Sequence, residues 1–361
     1  MSHLDPIPAF VIGYSDSGFT NPHEMVLPEE PRDCRGDFTH MGAKYWGLET
    51  ARHRATKVDP EAEQLHYDHG ASNWVTIGLK QRAIIRQINC STRWFTGNQV
   101  QGIGITLHDE LTGANHQVLK RTALQPDSEH EFVITPTVAT EARLELYYEG
   151  GLSRVLFFGE LAAEQLPERP NLLQSATISH VSNEHYGKPE MAVHGERQVM
   201  HMSGWESART GFGERALFSL ATPVTLSEFV VDTYLHRLNP PLTAHLFGLL
   251  ENDGDRLDEL MAAAPRWQLA FANGHTVTPA DFQSYMLSQA YLNEPVPTPG
   301  QFAIRLGLPA GSPWQPILPF ARLQPDRYHR FRHFAWRGPF NRLLYMHYPN
   351  GGVHGLKLFG A

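Results

Sequence analysis

Two short segments of this chain set a carboxylate close to guanidinium groups, and they are near copies of each other. Gly47 to Arg54 reads GLETARHR and Gly204 to Thr210 reads GWESART. Glu49 with Arg52 and Arg54, and Glu206 with Arg209, are residue types that can hold a small anion in a planar fork and move a proton on it. The same pairs also suit internal ion pairs that tie a loop to the body. Further along, WFTGN (Trp94 to Asn98) brings Thr96 and Asn98, and VDTYLHRLN (Val231 to Asn239) brings Asp232, His236 and Asn239. Thr96-Gly97-Asn98 is also good turn composition.

Other chemistry finds little support. His66-Tyr67-Asp68-His69 has metal-capable side chains, and the chain holds 20 histidines, but this run lies in a polar insertion without a counterpart elsewhere. No metal and no cofactor is expected. RYHRFRHFAWR (Arg327 to Arg337) interleaves bases and aromatics, a pattern that strand alternation explains; with a net charge of -8, nucleic acid is not an expected partner. Gly102-Ile103-Gly104 has Leu107 where a dinucleotide loop would carry its third glycine. A G-x-S-x-G elbow is absent. Two cysteines, Cys34 and Cys90, make neither a disulfide framework nor a thiolate zinc site.

The elements that must position these residues occur twice. LQPDSEHEF (Leu124 to Phe132) returns as LQPDRYHRF (Leu323 to Phe331), and YYEGGL (Tyr147 to Leu152) as HYPNGGV (His347 to Val353). The offsets agree, 199 residues from His130 to His329 and 201 from Gly150 to Gly351. Glu49 to Glu206 is 157, and Ser15-Asp16 to Ser182-Asn183 is 167, so insertions separate the motifs. One falls at about 55–70 and a larger one at about 251–299 of the second repeat. Two domains, 1–165 and 176–361, are expected in this 361-residue chain, with a polar, proline-bearing boundary at 162–175.

Strand signals dominate. ARLELYY (Ala142 to Tyr148) alternates with period two and leads through Glu149-Gly150-Gly151 into SRVLFFG, a hairpin pattern. RLLYMHY, Asn350-Gly351-Gly352 and VHGLKLF repeat it. Further strands are expected at Trp74 to Leu79, Ala83 to Cys90, Gly102 to His108, Glu131 to Thr135, Ser227 to Asp232, Thr243 to Leu249 and Gln301 to Leu306. Helical character is confined to Asp255 to Phe271 and Pro279 to Tyr291, giving the second repeat a mainly helical insertion. His130 and His329 are expected to hold a loop. The fold class is therefore all-β, two tandem β-sandwiches. Neither a signal peptide nor an apolar run near the roughly 20 residues of a membrane helix is present, and KLFGA is no peroxisomal tripeptide; a cytoplasmic protein is expected.

Eight motifs in order resemble the allantoicase repeat. They are SDSGF, KYWGLETARHR, WFTGN and YYEGGLSRVLFFG, then SNEHYGKPEM, GWESAR, VDTYLHRLN and YPNGGVHGLKLFG. Ser91, Asn350 and Gly355 depart from the family's Asp, Asp and Arg; Ala51 and Ala208 replace an Arg, and Leu238 a Gly. The resemblance implies two jelly-roll sandwiches of galactose-binding-like form, a homo-oligomer, and hydrolysis of the small molecule allantoate to ureidoglycolate and urea. Allantoate carries a carboxylate and two ureido groups on one carbon. Arg52, Arg54 and Arg154 would grip the carboxylate, Thr96 and Asn98 would meet the ureido groups, and Glu49 would move the proton. Glu206, Arg209 and Asn239 are the second repeat's candidates, with Asp232 and His236 as the alternative acid–base centre. The first repeat, which keeps more arginines, is the expected main site. A relative acting on another ureido or guanidino compound, or a non-catalytic ligand-binding module, are the competing functions.

Overall fold

The computed structural model describes residues 5–18, 20–39, 42–52, 56–67, 73–197, 203–208, 213–271, 276–277 and 302–361. The chain divides into two compact units, Met1–Glu168 and Arg169–Ala361.

In the first unit the main strands are β1 (Ala9–Tyr14), β2 (Asn73–Ser91), β3 (Gly102–Asp109), β4 (Ala114–Ala123), β5 (Glu129–Tyr147) and β6 (Arg154–Leu161). They pair antiparallel in the order β1-β2-β5-β3-β4, and β6 joins β2. The two expected strands Trp74 to Leu79 and Ala83 to Cys90 are one: β2 runs 19 residues and serves both layers. Val75 in its first half pairs with Tyr14 and Leu144, whereas Cys90 in its second half pairs with His130 and Val155. No glycine or proline interrupts it between the halves. The bend is held instead by Arg82, buried and bidentate to Asp109 at 2.8 and 2.9 Å. Alternate residues of both layers, among them Val75, Ile77, Ile88, Leu144, Val155 and Phe157, meet in one core. The layers thus make a β-sandwich.

The second unit repeats this plan, with the counterparts of β2 and β5 each divided into two strands. Its strands are β7 (Thr177–Ser179), β8 (Glu214–Val224), β9 (Leu226–Asp232), β10 (Thr243–Leu249), β11 (Gln315–Arg322), β12 (Tyr328–Phe331), β13 (Phe340–Tyr348) and β14 (Gly355–Gly360). They form a five-stranded sheet β7-β8-β13-β10-β11 and a three-stranded sheet β12-β9-β14 over a second core. Here the counterpart of β2 is broken at Thr225 into β8 and β9.

The helical reading of Asp255 to Phe271 is corrected in its second half. A 3-10 turn at Gly254–Arg256 and a helix at Leu257–Ala262 are followed by a strand, Arg266–Phe271, paired with Phe302–Gly307. Trp267 and Trp314 anchor this segment on the outer face of the five-stranded sheet, against Leu217, Leu344 and Met346, and that burial overrides helix propensity. The second expected helix, 279–291, lies outside the described residues, as do Asp68 and His69. Among the described helices none is long and apolar enough to cross a membrane.

Candidate active site

Three loops of the first unit meet at Glu49. Leu48–Glu49 pairs antiparallel with Gly151–Leu152, which puts the carboxylate beside the glycine hairpin. Gly150 holds a φ of +136°, and a Cβ on it would lie 2.6 Å from the Gln99 carbonyl, so only glycine lets the hairpin pack this closely. The segment after Glu49 is fixed by Asp16, which accepts from the backbone N–H groups of Ala51 and Gly18.

The loop carrying Asn98 is set by the repeated LQPD-x-x-H segment. Thr92 Oγ1 donates to the Gln125 carbonyl at 2.6 Å, and Asp127 accepts from the N–H of Trp94, a residue at φ +71°. His130 Nε2 accepts from the Gln125 N–H at 2.8 Å, while its Nδ1 faces the Cys90 carbonyl at 3.3 Å. Thr233, Asp326 and His329 make the same contacts in the second unit. Both histidines hold a loop, and the motif that discloses the repeat is a clamp on the asparagine-bearing turn.

These loops enclose a cleft of about 220 Å³ lined by Glu49, Arg52, Asn98, Gln99, Gln101 and Glu149, with Thr50, Gly97 and Gly150. Glu49 is 7% exposed. Asn98 Nδ2 donates to its Oε1 at 2.8 Å, and Oε2 is buried with no hydrogen-bond partner among the described residues. Burial pushes its carboxyl above the usual range, opposed by the Asn98 hydrogen bond and the charge of Arg52. Such a group can hold a proton and release it to a bound molecule. Gln99, Gln101 and Glu149 were not expected from sequence; only their position beside the glycine hairpin and Asn98 could have drawn attention to them.

Two first-unit candidates stand elsewhere. Thr96 is exposed and does not line the cleft. Arg154 is held by the 28–30 loop: its Nη1 donates to the carbonyls of Pro28 and Glu29 and to Glu30 Oε1, at 3.3, 3.0 and 3.1 Å. It stands in register opposite Ser91, with Glu129 3.8 Å from its Nη2. Arg54 and Arg209 lie outside the described residues.

In the second unit Asn239 Nδ2 donates to Glu206 Oε1 at 2.7 Å, the counterpart of the Asn98–Glu49 pair. His236 takes the place of Phe95: a Cβ on Gly352 would strike the His236 ring as one on Gly151 would strike Phe95. Its Nδ1 donates to Asn239 Oδ1 at 3.3 Å, and burial holds its pKa below the ordinary histidine value. Asp232 is buried in a bidentate pair with Arg197, both bonds at 2.7 Å, and its Oδ1 also accepts from the Tyr234 N–H at 3.0 Å. The pair also reverses the first unit: there the strand supplies the cation, Arg154, and the loop the acid, Glu30; here the strand supplies the acid and the loop the cation. Asn350 Nδ2 donates to the Ala208 carbonyl at 2.5 Å, drawing the hairpin onto the loop where the first unit has Glu149. Around Glu228, Arg169, Arg330 and Arg332 gather on one buried carboxylate, which accounts for part of the basic run 327–337. No cluster of three or more His, Cys, Asp or Glu suited to a metal ion occurs among the described residues.

A family model, the allantoicase repeat, matches residues 6–162 and again 171–290. The chain belongs to the allantoicase family. A probable allantoicase of Pseudomonas aeruginosa (strain UCBPP-PA14) is 24% identical over 368 residues, covering 97% of this chain and 92% of that protein. The allantoicase of Saccharomyces cerevisiae is 25% identical over 266 residues, covering 67% of this chain and 73% of its own. A crystal structure of allantoicase from Saccharomyces cerevisiae aligns over 99% of this chain and 91% of that one, at 18% identity and a TM-score of 0.34.

Proposed function

We propose that this family member hydrolyses allantoate to ureidoglycolate and urea in the cleft of its first unit, with Glu49 as the acid–base group. Hydrolysis of a C–N bond of a linear amidine is the reaction class, and purine degradation its setting. The observation that supports the site best is Glu49 itself, a largely buried carboxyl in the lining of a cleft large enough for a small molecule, with one oxygen held by Asn98 and the other unpaired among the described residues. With Asn98 on that first oxygen, the proton is presented in one direction. Arg52, exposed in the lining, supplies the cation for the substrate carboxylate.

The reaction divides into two balanced steps. Protonated Glu49 gives its proton to the departing ureido nitrogen; the C–N bond breaks, urea leaves, and the lone pair of the remaining ureido nitrogen forms an iminium with the central carbon. Water then adds to that carbon and returns a proton to the Glu49 carboxylate, giving ureidoglycolate and restoring the acid. The raised carboxyl pKa suits the first step, and the ionised form it leaves suits the second.

The reading takes the enzyme as a cytoplasmic homo-oligomer, and it keeps Glu206 and Asn239 as a second, structurally related pair. Incubating the purified protein with allantoate and measuring urea and ureidoglycolate tests it. Unchanged allantoate with no urea above background rejects it.

A further inference from the structure

We propose that Asp16 is a positioning residue for Arg52, holding the guanidinium where a substrate carboxylate meets it, an inference that rests on the site reading above. Arg52 is exposed, so packing does not aim its side chain and its backbone must. That backbone has just left the sheet, because the ladder with the glycine hairpin covers only Leu48 and Glu49. The N–H groups along it find acceptors in three different places. Glu49 N–H donates to Thr20 Oγ1 at 2.8 Å, Thr50 N–H to the Gly150 carbonyl at 3.1 Å, and Ala51 N–H to Asp16 Oδ2. The last of these lies next to Arg52 in the chain.

Asp16 is itself rooted in the main sheet. Ser15 N–H donates to the Trp74 carbonyl at 2.9 Å, and Ser15 Oγ accepts from the Trp74 N–H at 2.9 Å, at the start of β2. Asp16 Oδ1 accepts from the Gly18 N–H at 3.2 Å, which leaves Oδ2 for Ala51. A line of hydrogen bonds therefore runs from the sheet to the residue before the arginine. The second unit builds the same line with an amide. Ser182 exchanges hydrogen bonds with Arg215, and Asn183 Oδ1 accepts from the N–H groups of Ala208 and His185 at 3.1 and 3.0 Å. Arg209 follows Ala208 as Arg52 follows Ala51. What the two units share is an anchored acceptor ahead of an arginine. Glu49 keeps its own restraints, the ladder and the Thr20 and Asn98 hydrogen bonds, when Asp16 is removed. Losing Asp16 frees Arg52 and leaves the acid in place, which separates KM from kcat.

The test is a double-mutant cycle on the full-length protein, read as KM and kcat for allantoate. Asp16→Ala is expected to raise KM about five- to tenfold with kcat within about twofold. Asp16→Asn, which supplies the second unit's acceptor, should recover most of that loss. In an Arg52→Ala background, Asp16→Ala should add less than about twofold, because the group it positions is gone. Melting temperatures establish that each variant is folded, and Asp16→Ser replaces Asp16→Ala in the cycle if the latter is not. Additive losses, a fall confined to kcat, or an unchanged KM in Asp16→Ala while Arg52→Ala raises it overturn the proposal and leave the site reading standing. No turnover by the unaltered protein, or an unchanged KM in Arg52→Ala, rejects the site reading and the proposal with it.

Discussion

Asn98 holds one oxygen of Glu49 at 2.8 Å, and the other oxygen is buried without a partner among the described residues. A carboxyl in that position resists ionisation, because burial acts on both oxygens and only one is compensated. Glu49→Gln is expected to lower turnover of allantoate by about 10²–10⁴-fold. Steady-state turnover at equal folded protein checks this; turnover close to that of the unaltered protein would remove Glu49 from the chemistry.

The pH profile follows from the same pair. The free enzyme needs Glu49 protonated, so kcat/KM should fall as pH rises through its elevated pKa. The Asn98 hydrogen bond pulls that pKa down, and removing it lets burial act further. In Asn98→Ala the alkaline limb should move to higher pH, by up to about one unit. A limb that stays in place or moves down contradicts the assignment.

Arg52 is expected to act on binding. Arg52→Ala should raise KM for allantoate about 10–100-fold, the usual worth of a charge-assisted contact to a carboxylate. A change confined to kcat, with KM unaltered, would place the substrate carboxylate elsewhere.

Arg154 and Asp232 should affect stability. Replacing the buried Asp232 by Asn leaves Arg197 without its counter-charge, a loss of roughly 3–5 kcal/mol; Arg154→Met removes hydrogen bonds to the 28–30 loop. Thermal melting should fall in both variants, and kcat/KM per folded molecule should stay within about threefold. A selective loss of turnover at full stability would restore either residue to the site.

Acid should destabilise the second unit through His329. Burial lowers its pKa to about 4 from 6.5. A depressed folded-state value favours the neutral ring, so its stabilising effect is complete above pH 6.5 and is lost as pH falls toward 4. His329→Gln should flatten that part of the melting-temperature profile, measured by calorimetry between pH 7 and 4.

Much of the fold was legible because the repeat exposes its own register. The paired LQPD segments and glycine hairpins locate equivalent strands, and alternation gives their buried faces. The single strand β2 was not legible as one: Arg82 sits at the bend, and its buried pairing with Asp109 is a contact between strands 27 residues apart. The strand at Arg266–Phe271 was hidden for a related reason, since Trp267 is buried by a sheet that sequence periodicity does not reveal. At the site, Glu49 and Asn98 were legible from motif position. For Arg154, sequence position could not show the hydrogen bonds to the distant 28–30 loop. Gln99 and Glu149 escaped because neither residue type nor spacing distinguishes them; the close packing of Gly150 brings them to the cleft.

The reversed charges of Arg154–Glu30 and Asp232–Arg197 also bear on how a duplicated chain assembles. Tandem copies risk pairing a segment of one with the partner surface of the other. Were the 28–30 loop to settle on β9, Glu30 would face Asp232; were the Arg197 loop to settle on β6, it would face Arg154. Like charges set against each other are unfavourable, so each loop suits its own half better than the other. The opposite polarity gives two otherwise similar halves different loop partners.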